Sequence, residues 1–270
     1  MLDQVLNRWG VASLPDEPPA RLRALHAAHV RNVPFENVTK LLRAHDSPGA
    51  DAARRTPAIF WSDHLARGTG GTCFAATEAF RALLAEAGLP AEPAFAELPR
   101  EEPRGHVVLL VDCGGEPWLS DVGYALAAPL PLPGRRAARL VTPQYDLELR
   151  GGPGGALHLF TEDALGRRFR YRFRAEAAPR LAFEEAWRDT LRPDAPFLNR
   201  LALGRMGRRR RWLYRGNDEV VVLGRGGIRP RRVIGAAALG RWFGLPAEII
   251  SRARTLLPGG IDRPHGPTGA

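Results

Sequence analysis

Between residues 91 and 175 the apolar residues recur with a period of two. Seven short segments carry the pattern: 94–98, 106–111, 118–122, 138–141, 145–149, 156–160 and 168–174. Alternation of this kind predicts strands that bury one face, and many such strands joined by Gly/Pro turns predict an antiparallel barrel or sandwich. Arg168, Phe169, Arg170, Tyr171, Arg172, Phe173 and Arg174 alternate strictly, which predicts one aromatic face and one arginine face.

The flanks are different. Leu2, Val5, Leu6 and Trp9 have helical spacing, and Leu22, Leu25, Ala28 and His29 share one side of a second helix that begins after Pro18 and Pro19. Pro34 ends it. Residues 44–57 read as a loop, 59–66 as a short helix, and 73–84 as a helix closed by Gly88. Beyond residue 176 the pattern mixes: helices at 183–191, 236–243 and 246–257, and strands at 212–214, 219–223 and 228–233. The fold class expected is α+β: a helical bundle over 1–90, an antiparallel β-barrel over 91–180, an α/β lid over 181–257, and a disordered tail over 258–270.

The helix at 73–84 carries the chemistry. Gly70-Gly71 makes a turn, Thr72 is placed to cap through its hydroxyl, and Cys73 stands at the positive end of the helix dipole. A thiol there becomes a thiolate more readily, and the thiolate is the nucleophile. A reactive cysteine needs a base and the base needs an orienting group. His106 opens an apolar strand that turns at 112–117 and returns through Asp121. If the turn is centred between Cys113 and Gly114, His106 pairs with Asp121. If it is centred between Gly114 and Gly115, Asp121 pairs with Val108. In both registers histidine and carboxylate share a face.

Charge narrows the partners. The net charge is +10, and 38 of the 39 basic residues are arginine, Lys40 being the one lysine. That balance favours anionic partners such as nucleic acid, phosphates or an acidic cofactor. Nucleic acid is disfavoured, since no zinc-ligand spacing, aromatic RNA-binding strand or basic zipper is present, and Arg208–Arg211 reads as a solvated strand edge. No apolar run is long enough to span a membrane. The start lacks a basic region followed by an apolar core, so no secretory signal is expected. Two cysteines, Cys73 and Cys113, make no disulfide framework and read as reduced thiols in a cytoplasm.

Three segments in order resemble the arylamine N-acetyltransferase family, whose members are acetyl-CoA-dependent and use Cys, His and Asp: Val33-Pro34-Phe35-Glu36-Asn37-Val38, Gly70-Gly71-Thr72-Cys73-Phe74, and His106 through Asp121-Val122-Gly123-Tyr124. The resemblance implies that Cys73 is acylated, His106 is the base and Asp121 orients it. It implies that Phe35 and Tyr124 line the acceptor pocket, that acetyl-CoA is the donor and a small amine the acceptor, and that no metal takes part. The chain departs from the family at Thr69, where an arginine is usual and pairs with the glutamate matched by Glu36, and near Ala75 and Thr77, where glutamate and asparagine are usual. Glu36 is then expected to pair with Arg67 or to stay solvated. Three other readings remain: a macrolactam-forming acyltransferase of the same family, a transglutaminase-like cysteine hydrolase, and a non-catalytic nucleic-acid binder.

Overall fold

The computed structural model describes residues 1–257 apart from 48, 100–103, 135, 164 and 217; the expected tail at 258–270 lies outside the described residues. The N-terminal part is helical: α1 (Leu2–Trp9), α2 (Pro18–Asn32), α3 (Val38–Asp46), α4 (Ala50–Ala53), α5 (Pro57–Arg67) and α6 (Cys73–Glu86), with one short strand, β1 (Phe35–Glu36), between α2 and α3. Proline opens α2, and its C-terminus is set by Val33, held extended ahead of Pro34. Gly88 takes φ 72°, the left-handed conformation a helix stop requires, and Leu89 donates back to the Leu84 carbonyl at 2.9 Å. The expected loop at 44–57 is interrupted by the end of α3 and by α4.

Eight strands follow: β2 (Ala91–Glu97), β3 (His106–Asp112), β4 (Pro117–Ser120), β5 (Leu130–Pro131), β6 (Ala138–Val141), β7 (Asp146–Gly151), β8 (Leu157–Asp163) and β9 (Gly166–Phe173). They form one antiparallel sheet in the order β5-β4-β3-β2-β9-β8-β7-β6, and its two edges, β5 and β6, approach each other to make a nearly closed barrel. The predicted two-faced strand is β9. Tyr171 and Phe173 are buried as expected, but Phe169 is exposed. A bulge explains it: the register slips between Leu159 and Phe160, leaving Arg170 as the extra residue, and Phe169 turns out against Phe160 and His158.

After α7 (Arg180–Asp189) come β10 (Leu203–Met206), β11 (Arg211–Tyr214), β12 (Glu219–Gly224), β13 (Gly227–Arg232), α8 (Ala236–Phe243) and α9 (Ala247–Thr255). The second sheet runs β1-β10-β11-β12-β13, so Phe35–Glu36 from the N-terminal region is its edge strand.

Two cores hold the molecule. The larger joins α6 to the barrel through Phe74, Phe80, Leu83, Val107, Leu109 and Tyr171. The smaller packs Val38 and Leu41 of α3 against Tyr214, Val220, Leu239, Phe243 and Ile250. Packing therefore cuts across a division at residue 90, because β1 and α3 are built into the C-terminal sheet and its helices. None of the described helices is long and apolar enough to cross a membrane.

Candidate active site

Cys73 is the first residue of α6 and is buried. Thr72 holds the cap position in extended conformation, but its hydroxyl makes no capping bond. Only its carbonyl joins the helix, accepting from Ala76 at 3.0 Å. The expected hydroxyl cap is thus absent, and the positive end of the dipole at Cys73 is not quenched from that side. By contrast, Thr56 does cap α5, its Oγ1 accepting from Ile59 at 3.4 Å.

The glycine pair before Cys73 is dictated by close approach. A Cβ on Gly70 would stand 1.7 Å from the Pro34 carbonyl oxygen. Glu36 donates its amide to the Gly71 carbonyl at 3.2 Å, and Phe35 bridges Gly71. The 33–38 segment is therefore wedged between the cysteine turn and β10, which puts the Phe35 ring on the wall of the cleft.

His106 and Asp121 meet through the β3–β4 hairpin. Of the two registers, the structure takes the second: Leu109 lies opposite Ser120 and Asp112 opposite Pro117. Gly114 and Gly115 have φ of 74° and 90°, which a two-residue turn matched to the strand twist requires. Asp121 then follows the end of β4, and its Oδ2 lies 2.8 Å from His106 Nε2. Its Oδ1 accepts the Tyr124 amide at 2.8 Å, so both carboxylate oxygens are satisfied although the group is fully buried. Helix α2 steadies this turn from behind: His26 contacts Ser120 Oγ at 2.9 Å and the Leu126 carbonyl at 2.8 Å. A carbonyl only accepts, so His26 carries its proton on Nε2, and burial holds it in that neutral form with a pKa of about 4.

Burial also disfavours a charged His106, and it is the largest single influence there. The charge and hydrogen bond of Asp121, with the hydrogen bond and charge of Cys73, together outweigh it, and the ring is held well above its ordinary pKa of 6.5. With Nε2 given to Asp121, Nδ1 is the nitrogen left for the sulfur. Gly123 closes this side: a Cβ there would be 2.8 Å from Cys73 Cβ and 3.4 Å from His106 Cε1. Tyr171 packs its ring 5.4 Å from the His106 ring, centroid to centroid. Burial first, then the Asp121 charge, push its phenol far above the ordinary range, so it stays neutral.

Neither expected fate of Glu36 is observed. Its carboxylate is fully buried, accepting from the Thr39 amide at 2.8 Å and the Thr39 hydroxyl at 2.6 Å. Its cation is Arg55, at 3.8 Å. Arg67 pairs with Asp63 one turn back on α5 at 2.5 Å. Arg55 enters from the short segment between α4 and α5. Its guanidinium also donates to the Gly70 carbonyl, to Thr39 Oγ1 at 3.0 Å and to Asp63 at 3.1 Å. With an uncharged threonine at 69, the space beneath the glycine turn is filled by an arginine fourteen residues earlier. Sequence reasoning missed Arg55 because nothing in its local pattern separates it from the other arginines.

Cys73 and His106 open into a cleft of about 200 Å³ between barrel and second sheet. Phe35 and Tyr124 both line it. So do Phe197, whose ring is 5.4 Å from that of Phe35, and Arg211, whose guanidinium lies 5.9 Å from the Tyr124 ring centre. Lys40 lies buried behind Phe197, its Nζ 5.8 Å from the ring centre; burial lowers its pKa to about 8, against the opposing pull of Cys73. Phe197 and Arg211 are contributed by the C-terminal region, whose approach to the barrel no local signal announces.

Comparison with known proteins gives a consistent result. The N-acetyltransferase family model matches residues 20–220. The arylamine N-acetyltransferase of Escherichia coli is 33% identical over 119 residues, 41% of this chain and 40% of that protein. The arylamine N-acetyltransferase / N-hydroxyarylamine O-acetyltransferase of Salmonella typhimurium is 32% identical over 141 residues, 48% of this chain and 47% of that protein. The chain thus aligns with less than half the length of these two curated relatives. The solved structure of Mycobacterium marinum arylamine N-acetyltransferase in complex with CoA superposes with a TM-score of 0.76 at 24% identity, over 97% of this chain and 98% of that one, which establishes the shared fold.

Proposed function

The chain belongs to the N-acetyltransferase family, and on that premise we propose that it moves an acetyl group from acetyl-CoA, through a Cys73 thioester, to the nitrogen of an arylamine, hydrazine or hydroxylamine. The observation that carries this reading is the convergence of Cys73, His106 and Asp121 from three separate segments, with the His106–Asp121 contact at 2.8 Å.

In the first step the Cys73 sulfur attacks the thioester carbonyl carbon, and its proton resides on His106 Nδ1. The oxygen takes up negative charge beside the Cys73 amide at the helix N-terminus. Collapse expels the coenzyme thiolate, which takes the proton from His106, and leaves acetyl-Cys73. In the second step the amine attacks the new thioester, His106 accepts the amine proton, and Cys73 sulfur departs. Asp121 holds the ring by Nε2 throughout and compensates its positive charge. Phe35, Tyr124 and Phe197 supply apolar ring surface for an aromatic acceptor, and the modest cleft volume favours a small acceptor over the long acyl chain that a macrolactam-forming relative would hold. Both cysteines are free thiols, in keeping with a cytoplasmic setting.

The test is release of free CoA from acetyl-CoA, with and without an arylamine such as 4-aminobenzoate or a hydrazine. This reading predicts one equivalent of CoA per protein without acceptor and continuous release with it. Turnover indifferent to the amine would make the protein a hydrolase, and no release would remove the reading.

A further inference from the structure

Four consecutive carbonyls, from Thr69 to Thr72, lead into Cys73, and each accepts from a different part of the fold. The Thr72 carbonyl accepts from the Ala76 amide of α6 at 3.0 Å, and the Gly71 carbonyl from the Glu36 amide of β1 at 3.2 Å. The Gly70 carbonyl accepts from the Arg55 guanidinium. The Thr69 carbonyl lies 2.8 Å from Nδ1 of His64, on the last turn of α5, and Thr69 is fully buried. Gly70 and Gly71 have no side chain to restrict φ and ψ, so the shape of this turn has to be imposed from outside. Among the described residues no other donor reaches the Thr69 carbonyl.

The ring that holds this carbonyl is itself held. A carbonyl only accepts, so His64 carries its proton on Nδ1, and Nε2 is left as an acceptor. The indole N–H of Trp9, the last residue of α1, donates to that nitrogen at 3.0 Å. His64 is only 2% exposed, and the rings of Trp9 and Trp61 stand 6.0 and 5.7 Å from its own, centroid to centroid. The neutral ring therefore uses both nitrogens, and burial favours that neutral form. Neither His64 nor Trp9 lines the Cys73 cleft. We propose that His64 is a positioning residue for Cys73: fixed by Trp9, it holds the Thr69 carbonyl and so sets the glycine turn that presents the sulfur to His106. The first helix thereby acts on the reaction through Trp9, His64 and Thr69 in series. This role rests on the reading of Cys73 as the acetylated nucleophile.

The test compares wild type with three variants of the full chain. His64→Leu removes both ring hydrogen bonds. His64→Asn puts an amide N–H close to the place of Nδ1–H and restores the bond to Thr69. Trp9→Phe keeps an aromatic ring and removes only the indole N–H. Because misplacing a reacting group by about 1 Å costs on the order of a hundredfold, the rate of Cys73 acetylation at saturating acetyl-CoA should fall at least roughly tenfold in His64→Leu. It should return to within about threefold of wild type in His64→Asn, and Trp9→Phe should be slower by about threefold, as for one lost hydrogen bond. The acetyl-CoA concentration giving half the maximal rate should stay within about twofold throughout, since no contact to the donor is removed. A purely structural role would lower the thermal midpoint of both His64 variants without separating their rates. His64→Leu acetylated at the wild-type rate, or His64→Asn as slow as His64→Leu, would overturn the proposal; should His64→Leu not fold, an unaltered rate in Trp9→Phe would do so. Alkylation of Cys73 by iodoacetamide needs no acyl donor and should rank the four proteins in the same order. Wild type that is alkylated but never acetylated would overturn the acetyl-CoA reading and leave the alkylation ranking to decide the role of His64. Equal alkylation of wild type and His64→Leu would overturn the positioning role alone.

Discussion

The Arg55 guanidinium stands 3.8 Å from the Glu36 carboxylate, and both side chains are buried. The same guanidinium holds the Gly70 carbonyl, three residues before Cys73 opens its helix. One buried cation therefore ties the 33–38 segment to the cysteine turn. Removing one member of a buried pair leaves the other charge uncompensated, at a cost of about 3–5 kcal/mol. Arg55→Thr should lower stability by that order in urea unfolding. Adding Thr69→Arg should recover a substantial part of it, by returning the cation to the position where the family usually carries it. No recovery in the double variant would mean that the two positions do not share one role.

Gly123 has room for no side chain. Its Cβ would press on Cys73 and His106 together, and displacement of reacting groups by about 1 Å costs on the order of a hundredfold in rate. Gly123→Ala should lose at least that in kcat/KM while its thermal midpoint falls only by the equivalent of about 1–3 kcal/mol, as for an overpacked core. Comparable activity in the two proteins would contradict the packing described.

Three neutral buried histidines predict acid sensitivity. Burial holds His26 at about 4 and pushes His29 and His64 below the ordinary 6.5. The unfolded chain therefore binds protons near pH 6.5 that the folded chain refuses, so this stability is complete above 6.5 and is lost as pH falls from there. His26 alone accounts for roughly 3 kcal/mol by pH 4. His106, raised, has the opposite sign: its contribution is present below 6.5 and fades as pH rises through its folded pKa. Neither His29 ring nitrogen has a partner, and Phe80 and Trp61 surround the ring. His29→Leu should flatten the pH dependence of the thermal midpoint between 6.5 and 4; an unaltered slope would rule out His29 as a source.

Asp121→Asn keeps the shape and removes the charge that, against burial, keeps His106 protonated. The ring should then lose its proton at lower pH. The alkylation rate of Cys73 by iodoacetamide at pH 7 should fall by roughly tenfold or more, about 1.4 kcal/mol for each pKa unit lost. An unchanged rate would show that Asp121 orients the ring without affecting its charge.

Much of this was legible in the sequence because it depends on local rules. The period of two from residue 91 to 175 located seven of the eight barrel strands, missing only the two-residue β5 (Leu130–Pro131), and the glycine turns limited the β3–β4 hairpin to registers that put His106 and Asp121 on one face. What was hidden depends on contacts between distant segments. β1 has two residues, too few for any periodicity, and exists only because β10 lies beside it. The bulge at Arg170 arises from a register slip between two strands, which leaves no mark in a strictly alternating sequence. Arg55, Phe197 and Arg211 look like ordinary arginines and an ordinary phenylalanine until the second sheet closes over the cysteine.

The most direct test is mass spectrometry of the Cys73 peptide after brief mixing with acetyl-CoA and no amine. The proposed mechanism predicts the mass of one acetyl group on Cys73, its discharge within the dead time of adding an arylamine, and no adduct on that peptide in Cys73→Ser or His106→Gln. An unmodified Cys73, or an acetyl group that arrives equally well without His106, would contradict it.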